Sequence, residues 1–291
     1  MNKVNVQVND NILASPMNYI GGKAKLLPQI KPHFPTDIDK FYDVFAGGAN
    51  VAVNVQADKI FINDLNHYVI GILRYFQETD IDNILEAIYF YIDKYKLSKT
   101  NKEGFLKLRN DYNNHKTPIM LYTLICYSFN YQFRFNNSHD YNNPFGAKRS
   151  HFSKTLENKL IRFVTKLKQQ PVILTCESFD IFLENQNFTK ASFIYLDPPY
   201  LITTGSYNDG NRGFKNWTAS QEILLFSYLN KLNSMGIRFA LSNVISHKGK
   251  ENNLLSEFAR DYRVIELNKH YKNSSYNTNK GDSKEILLVN Y

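Results

Sequence analysis

Short apolar runs bounded by turn residues recur along the chain, as expected for the strands of a buried sheet. They predict strands at residues 41–45, 59–62, 172–174, 193–196, 238–243, 264–267 and 286–290. The run at 172–174 is short and wholly apolar, so we expect that strand to be buried.

The stretches between these runs contain apolar residues spaced three and four positions apart, which is the spacing of one helix face. They predict helices at residues 49–55, 81–95, 118–129, 156–167, 221–235 and 253–261. Gly236 directly follows the fifth of these and should end it. Residues 136–148 and 203–216 are rich in polar and turn-forming residues, and they predict loops.

Strands alternate with helices at both ends of the chain, and a helix-rich middle interrupts the alternation. This order predicts an α/β fold, a mostly parallel Rossmann-like sheet with an inserted helical subdomain. We expect the sheet domain to comprise residues 1–67 and 153–291, and the inserted subdomain to comprise residues 68–152.

The positive charge of the chain is concentrated in its middle. The whole chain has a formal net charge of +8, but residues 99–169 alone hold 13 Lys or Arg and 4 Asp or Glu. Aromatic residues are interleaved with these cations. The pattern fits a surface that follows a polyanion such as nucleic acid. It also fits the solvated helix faces of a lysine-rich protein, and composition alone leaves both readings open.

The two cysteines, Cys126 and Cys176, form no disulfide framework and fit a reduced compartment. Each is expected to be a small buried apolar residue. The first ten residues contain no apolar signal core, and no run approaches the roughly 18 apolar residues of a membrane helix. We therefore expect a cytoplasmic protein with no membrane association.

A glycine-rich turn follows the first predicted strand. Phe45-Ala46-Gly47-Gly48 would let the backbone approach a ligand closely, and Asp64, at the end of the next strand, could accept both hydroxyls of a ribose. The G-x-G-x-x-G spacing of dinucleotide-binding folds is absent. A second glycine pair, Gly21-Gly22, precedes Lys23, which is either a solvated lysine or a cation placed near a carboxylate or phosphate.

The motif Asp197-Pro198-Pro199-Tyr200 directly follows a predicted strand, where open α/β sheets carry reactive residues. The Asp197 carboxylate and the Pro198 carbonyl are pure acceptors, and the two prolines make the turn rigid. Tyr200 adds a flat face on which a ring can stack. The motif therefore suits an exocyclic amine on an aromatic heterocycle. The alternative is a sharp proline turn in which Asp197 caps the next helix.

These elements, in this order, resemble the adenine-N6 DNA methyltransferases of the class-alpha order, which include the GATC-methylating Dam enzymes. The matching segments are residues 19–23, 43–50, 63–64, 142–146, 176–179, 197–200, 241–243 and 284–291. The resemblance spans nearly the whole chain, and the DPPY segment at 197–200 and the NPFG segment at 143–146 are its most specific parts.

The resemblance implies S-adenosylmethionine (AdoMet) as cofactor, no metal, and a role for each matching residue. Asp64 would hold the cofactor ribose. The cofactor-binding residues that it implies are Tyr19, Gly22, Lys23, Phe45, Gly47, Asp64, Ser178, Phe179 and Asp197. Asp197 and Pro198 would also orient the target amine, and Tyr200 would stack on the base. Ser178 departs from the family, in which Asp is frequent at this position.

The same resemblance implies double-stranded DNA as the partner, with the target adenine flipped out of the helix. The implied DNA-binding residues are Arg134, Asn136, Asn143, Lys148 and Arg149. Arg134 is the best candidate for a base contact, since arginine pairs bidentately with guanine. The protein would act as a monomer or weak dimer. A cognate restriction endonuclease, encoded separately, is a possible partner. The recognition sequence stays open.

Two other functions fit parts of the pattern. One is an AdoMet-dependent methyltransferase acting on another planar amine or amide, in RNA or protein, although such relatives usually carry Asn in place of Asp197. The other is a catalytically silent DNA-binding protein that kept the fold. That reading requires a decayed cofactor site, whereas Gly47, Asp64 and the DPPY motif are all present.

Overall fold

The computed structural model describes residues 12–203, 217–268 and 283–291. Its sheet has the strand order β3-β2-β1-β4-β5-β8-β7, with β6 paired to the outer part of β5. The strands are β1 (Lys40–Asp43), β2 (Lys59–Asn63), β3 (Val172–Thr175), β4 (Phe193–Leu196), β5 (Arg238–His247), β6 (Lys250–Glu251), β7 (Arg263–Leu267) and β8 (Ser283–Val289).

The five strands from β3 to β5 are parallel, and of the strands in the described residues only β6 and β8 run against the sheet direction. Parallel strands place all their carboxyl ends at one edge, and the sheet order puts β1 and β4 side by side at its centre. In such sheets ligands bind outside the carboxyl ends of the central strands. The predicted α/β class with a mostly parallel Rossmann-like sheet is confirmed.

Nine α-helices cover or extend this sheet within the described residues. They are α1 (Leu27–Ile30), α2 (His67–Glu78), α3 (Ile81–Lys94), α4 (Lys102–Asn114), α5 (Pro118–Tyr127), α6 (Lys154–Gln169), α7 (Phe179–Glu184), α8 (Ala219–Ser234) and α9 (Asn253–Phe258). Helices α2 to α6 all lie in the stretch of chain between β2 and β3, so the basic middle of the sequence is helical. The domain boundary at residues 68 and 152 stays a prediction.

Side chains alternate between the two faces of the sheet and so divide the core into two. Phe41, Phe193 and Tyr195 lie in one cluster with the apolar faces of α2, α5 and α6. Tyr42, Ile194 and Leu196 lie in the other cluster with α7, α8 and α9. Adjacent residues of one strand therefore belong to different cores, as the two-residue period of a strand requires.

Three sequence-based expectations were wrong. Residues 49–55 form turns and a short 3-10 helix, Ala52–Asn54, instead of an α-helix; Ala49 has a φ of 59°, which an α-helix does not tolerate. Strand β3 lies at the sheet edge, and Ile173 is 42% exposed rather than buried. Cys176, just beyond β3, is also exposed, whereas Cys126 is buried in α5 as expected.

The loop predicted at residues 203–216 lies outside the described residues except for Thr203. In the described part of the chain, every helix is too short or too polar to cross a bilayer.

The centre and the edge of the sheet should respond differently to the same substitution. Ile194→Ala removes a wholly buried side chain from β4, so we expect the free energy of unfolding to fall by about 2–5 kcal/mol. Ile173→Ala, on the exposed edge strand, is the control and should cost less than about 1.5 kcal/mol. Urea denaturation followed by circular dichroism measures both, and equal losses would contradict the assigned sheet order.

Candidate active site

A cavity of about 530 Å³ opens at the carboxyl ends of β1, β2 and β4. Its walls include the glycine turn after β1, the acid after β2 and the DPPY motif after β4. All nine predicted cofactor-binding residues line it, namely Tyr19, Gly22, Lys23, Phe45, Gly47, Asp64, Ser178, Phe179 and Asp197. The fold thus brings together residues that are up to 178 positions apart in sequence.

The glycine turn depends on Gly47 for two reasons. Its φ of +50° lies in the left-handed region, and a Cβ added there would lie 2.7 Å from Cδ1 of Tyr19. A side chain at this position would therefore be strained and would also collide with the tyrosine ring. The close approach leaves the backbone of the turn facing the cavity, where a ligand can contact it.

Asp64 is buried and joins this turn to the segment that follows β2. Its Oδ2 accepts a hydrogen bond from the Gly47 amide at 2.7 Å, and its Oδ1 accepts one from the Asn66 amide at 2.8 Å. Burial raises the pKa of Asp64 to about 6, and the two backbone N–H groups oppose that shift. Each carboxylate oxygen has a further lone pair that can accept a hydroxyl donated from the cavity.

A buried cation lies at the centre of the site. Nζ of Lys23, whose side chain is 5% exposed, is 2.6 Å from Oδ2 of Asp197 and 3.5 Å from Oε1 of Glu285. The hydroxyl of Tyr200 is 2.9 Å from Oδ1 of Asp197 and 3.0 Å from Oε1 of Glu285. Lysine, tyrosine and two carboxylates thus form one connected group that joins β4, β8 and the segment before α1.

Burial is the main cause of the pKa shifts of Asp197 and Tyr200. It raises the pKa of Asp197, while the Lys23 ammonium and the Tyr200 hydroxyl hold that shift down. Burial and the neighbouring carboxylates raise the pKa of Tyr200, so its hydroxyl stays protonated and can donate. Asp43 is also buried, its carboxylate accepting from the Ala52 amide, and burial raises its pKa well above the usual value.

One wall of the cavity is aromatic. The rings of Phe45 and Phe179 have centroids 5.6 Å apart, and Trp217 lies 5.8 Å from the first and 5.6 Å from the second. Ser178 precedes Phe179 as the N-terminal cap residue of α7, where its main-chain carbonyl accepts from Phe182.

The predicted DNA-binding residues lie outside the cavity, on or beside a small hairpin. Residues Phe135 and Tyr141 form an antiparallel bridge, and the stretch between them makes the hairpin tip. Arg134 is exposed, and only its carbonyl is held, by the Asn142 amide. Its side chain has no hydrogen bond or ion pair among the described residues. Asn136 shapes the tip, since its side chain accepts from the Asp140 amide.

The structure does not place Asn143 for a DNA contact. Its side chain is 1% exposed and donates to the carbonyls of Phe129 at 3.0 Å and Gln132 at 3.1 Å. It fixes the base of the hairpin from inside. Lys148 and Arg149, in contrast, are both exposed, and the Lys148 amide anchors that turn to the carbonyl of Lys99.

Three residues of the site were missed from the sequence, namely Asp43, Trp217 and Glu285. Glu285 lies within the segment at residues 284–291 that resembles the family, but nothing about its neighbours in sequence marks it as a partner of Lys23. Trp217 carried a signal that could have been used, because it is the single tryptophan of the chain and stands between a polar loop and a helix.

Comparison with known proteins links this chain to one family. Residues 19–273 match the family model described as D12 class N6 adenine-specific DNA methyltransferase. The Type II methyltransferase M.FokI of Planomicrobium okeanokoites is 52% identical over 97% of this chain. The Modification methylase StsI of Streptococcus sanguinis is 49% identical over the whole chain. A DNA adenine methylase of Haemophilus influenzae is 27% identical over 63% of it.

The chain is much shorter than the first two of these relatives. The match covers 43% of M.FokI and 45% of StsI, whereas it covers 63% of the Haemophilus influenzae protein. The chain therefore spans less than half the length of the proteins that share half its residues.

Removing the buried cation should destabilise the protein in a pH-dependent way. Lys23→Met leaves the neighbouring carboxylates without their partner, and we expect the free energy of unfolding to fall by about 3–5 kcal/mol at pH 8. The loss of the ammonium also raises the pKa of Asp197 further. A carboxyl whose pKa is raised in the folded state loses stability as the pH rises through that value, so the deficit should shrink at pH 5.

The control for this substitution is Lys96→Met, because the ion pair of Lys96 with Asp93 is largely exposed. It should change stability by less than about 1 kcal/mol at either pH. Denaturant titration at the two pH values gives the comparison. A Lys23→Met deficit that is small, or equal at pH 5 and pH 8, would show that the cation does not balance the buried carboxylates.

Proposed function

This chain belongs to the D12 class of N6 adenine-specific DNA methyltransferases, and from that premise we propose that it methylates N6 of adenine in duplex DNA with AdoMet. The observation that carries the proposal is the shared cavity. The rigid acceptors of the DPPY motif and the glycine turn with Asp64 open into the same space. Donor and acceptor of the methyl group could therefore meet within it.

The residues present fit AdoMet. The turn at Gly47 leaves no room for a side chain, Asp64 offers carboxylate acceptors for ribose hydroxyls, and the aromatic wall offers flat apolar surface for a purine. The bound cofactor supplies a methyl group on a positively charged sulfur, which is already activated for transfer. Tyr19, Gly22, Lys23, Phe45, Gly47, Asp64, Ser178, Phe179 and Asp197 would hold it.

The protein's contribution is then orientation and charge. The Asp197 carboxylate and the Pro198 carbonyl accept the two N6 hydrogens of adenine, which favours a pyramidal nitrogen and directs its lone pair at the methyl group. Lys23 and Tyr200 keep the carboxylate of Asp197 in one orientation from two sides. Tyr200 supplies its ring face for the base at the same time.

The charge of the cluster favours the same step. Two acidic side chains, Asp197 and Glu285, lie against one basic side chain, Lys23, so acidic groups outnumber basic ones in this cluster. Nitrogen N6 gains positive charge as its bond to the methyl carbon forms and the carbon–sulfur bond breaks, and it becomes neutral again when it releases one proton to solvent. A preorganised, largely buried cluster in which acids outnumber the base stabilises that charge, and such electrostatic terms are among the largest in catalysis.

Adenine N6 inside a duplex cannot reach a buried carboxylate, so we propose that the base is flipped into the cavity. The exposed cations Arg134, Lys148 and Arg149 contact the DNA, with Arg134 reading a base edge and the other two following phosphates. Asn136 acts through the shape of the hairpin tip. The side chain of Asn143 stabilises the hairpin, and we do not assign it the DNA contact that was expected from the sequence.

The names of two relatives, a Type II methyltransferase and a Modification methylase, place them in restriction–modification. We propose the same setting for this chain, acting on cytoplasmic DNA beside a separately encoded cognate endonuclease. The proposed chemistry requires one copy of the site, so a monomer suffices.

Asp197→Ala tests the reacting centre. Loss of the acceptor should lower methyl transfer to DNA by at least roughly 10²-fold, a far larger effect than the rise in the dissociation constant for AdoMet that the loss of one of nine cofactor contacts causes. Radiolabelled methyl transfer measures the first and calorimetry the second. Asp93→Ala, which removes an exposed carboxylate, is the control and should retain full activity. Activity of Asp197→Ala near that of the unmodified chain would contradict the assignment.

Arg134→Ala tests the reading of bases. We expect methylation to spread to sites that differ from the preferred sequence at one position, with a loss of discrimination of about 1–3 kcal/mol. Lys148→Ala should instead weaken binding to all sequences alike and lower its salt dependence. Long-read sequencing of methylated host DNA reports both. Uniform loss for Arg134→Ala would make it a phosphate contact.

A further inference from the structure

The single tryptophan of the chain, Trp217, lies in the wall of the cavity but in none of the segments that resemble the family. Trp217 is 7% exposed, and what remains uncovered belongs to the cavity lining. It packs nearly perpendicular to Phe45, at 84°, and inclined to Phe179, at 52°. The three rings form a continuous aromatic surface, which we call the aromatic wall.

A buried carboxylate holds the indole in place. Glu222, in the first turn of α8, is wholly buried, and its Oε2 accepts a hydrogen bond from Nε1 of Trp217 at 3.1 Å. Its Oε1 accepts from Nδ2 of Asn252 at 2.7 Å and from Nδ2 of Asn243 at 3.3 Å. Glu222 therefore ties the aromatic wall to strand β5 and to the start of α9.

The two asparagines cannot turn around to suit another side chain. Oδ1 of Asn252 accepts from the Leu255 amide as the N-terminal cap of α9, and Oδ1 of Asn243 accepts from the Val244 amide. Both amides thus present their NH₂ groups to Glu222. Because the indole also presents an N–H, three donors converge on one side chain, and only a side chain that accepts with both oxygens satisfies them.

We infer that Trp217 is part of the cofactor site, forming with Phe45 and Phe179 the wall against which the purine ring of the cofactor packs, and that Glu222 is the positioning residue that orients its indole. This inference rests on the proposed function, because it takes AdoMet as the ligand. The ligand group that it concerns is the adenine of the cofactor, a flat aromatic ring that suits an aromatic wall.

The surroundings of the wall argue against a purely structural role. Gln221 and Leu224, from the same turn of α8 as Glu222, also line the cavity, and Leu224 remains 40% exposed. An exposed leucine beside a half-open aromatic wall leaves apolar surface facing the cavity, which a bound purine would cover. Glu222 is wholly buried and does not line the cavity, so its effect on the ligand runs through its contact with Trp217.

The first test uses the tryptophan of the unmodified protein as its own reporter. Titration with S-adenosylhomocysteine or with adenosine should shift or quench the emission of Trp217, because both bring the purine to the wall. Methionine alone, at matched concentrations, should leave the emission unchanged. Emission that does not respond to S-adenosylhomocysteine, while calorimetry shows it to bind, would overturn the assignment of Trp217.

The second test is the substitution Glu222→Gln. One of the three donors then faces an NH₂ group, so we expect the dissociation constant for S-adenosylhomocysteine to rise about tenfold, with DNA affinity unchanged. Glu184→Gln is the matched control, since Glu184 accepts from the Tyr228 hydroxyl on the outer side of α7 and α8. It should bind as the unmodified protein does. Equal losses of cofactor and DNA affinity in Glu222→Gln would make Glu222 merely structural.

A double-mutant cycle separates positioning from general damage. Trp217→Phe keeps an aromatic ring but removes the indole N–H, and it should also weaken S-adenosylhomocysteine binding in calorimetry. If Glu222 acts through Trp217, adding Glu222→Gln to this variant should weaken binding little further. Fully additive effects would contradict the positioning role. Should Glu222→Gln fail to fold, the emission titration and Trp217→Phe still decide whether Trp217 belongs to the site.

Failure of this inference differs from failure of the proposed function. If the unmodified protein binds no S-adenosylhomocysteine by calorimetry, the proposed function itself is contradicted. If it binds the compound, but the emission and the cycle show no involvement of Trp217 and Glu222, only the present inference falls.

Discussion

The candidate active site depends on one buried cation. Lys23 has a side chain that is 5% exposed, and an ammonium in such a place is strongly unfavourable unless carboxylates surround it. Asp197 and Glu285 provide them, from the ends of two strands that lie on either side of β5. The same contact fixes the carboxylate of the DPPY motif in one orientation. The ion pair that stabilises the buried Lys23 is therefore also the contact that holds the Asp197 carboxylate in place as an acceptor.

A second constraint places the proposed cofactor-binding residues beside this group. Strands β1, β2 and β4 are neighbours in the sheet and parallel, so the glycine turn, Asp64 and Asp197 must all emerge at one edge. Asp64 then closes the turn by accepting from the Gly47 amide, and the Tyr19 ring covers that glycine. Chain topology thus brings these residues to one edge of the sheet, and a few hydrogen bonds set their relative positions there.

The fold class and most of this site could be predicted because their signals are local. Apolar runs and helical spacing located every strand of the parallel sheet, and motif order identified the family, which the comparisons confirm. The failures have tertiary causes. Residues 49–55 have helical composition, but Ala49 takes a positive φ in the turn after β1, which is the proposed cofactor loop. Exposure of Ile173 follows from the edge position of β3, which no local pattern encodes.

The site residues that could not be predicted from the sequence were also missed for tertiary reasons. Glu285 and Lys23 are 262 positions apart, and their meeting depends on the antiparallel insertion of β8 between β5 and β7. Asn143 belongs to a specific motif, which suggested a ligand contact, yet its amide serves the hairpin on which Arg134 is displayed. Motifs identify which residues matter to a family, whereas the contacts decide whether each acts on the ligand or on the scaffold.

The central claim concerns the atom that is methylated. The chain should be incubated with duplex DNA and AdoMet labelled in its methyl group, and the DNA should then be digested to nucleosides and separated by chromatography. The account predicts that the label elutes with N6-methyldeoxyadenosine alone. Label on a cytosine derivative, or DNA that remains unlabelled although the protein binds the cofactor, would contradict it.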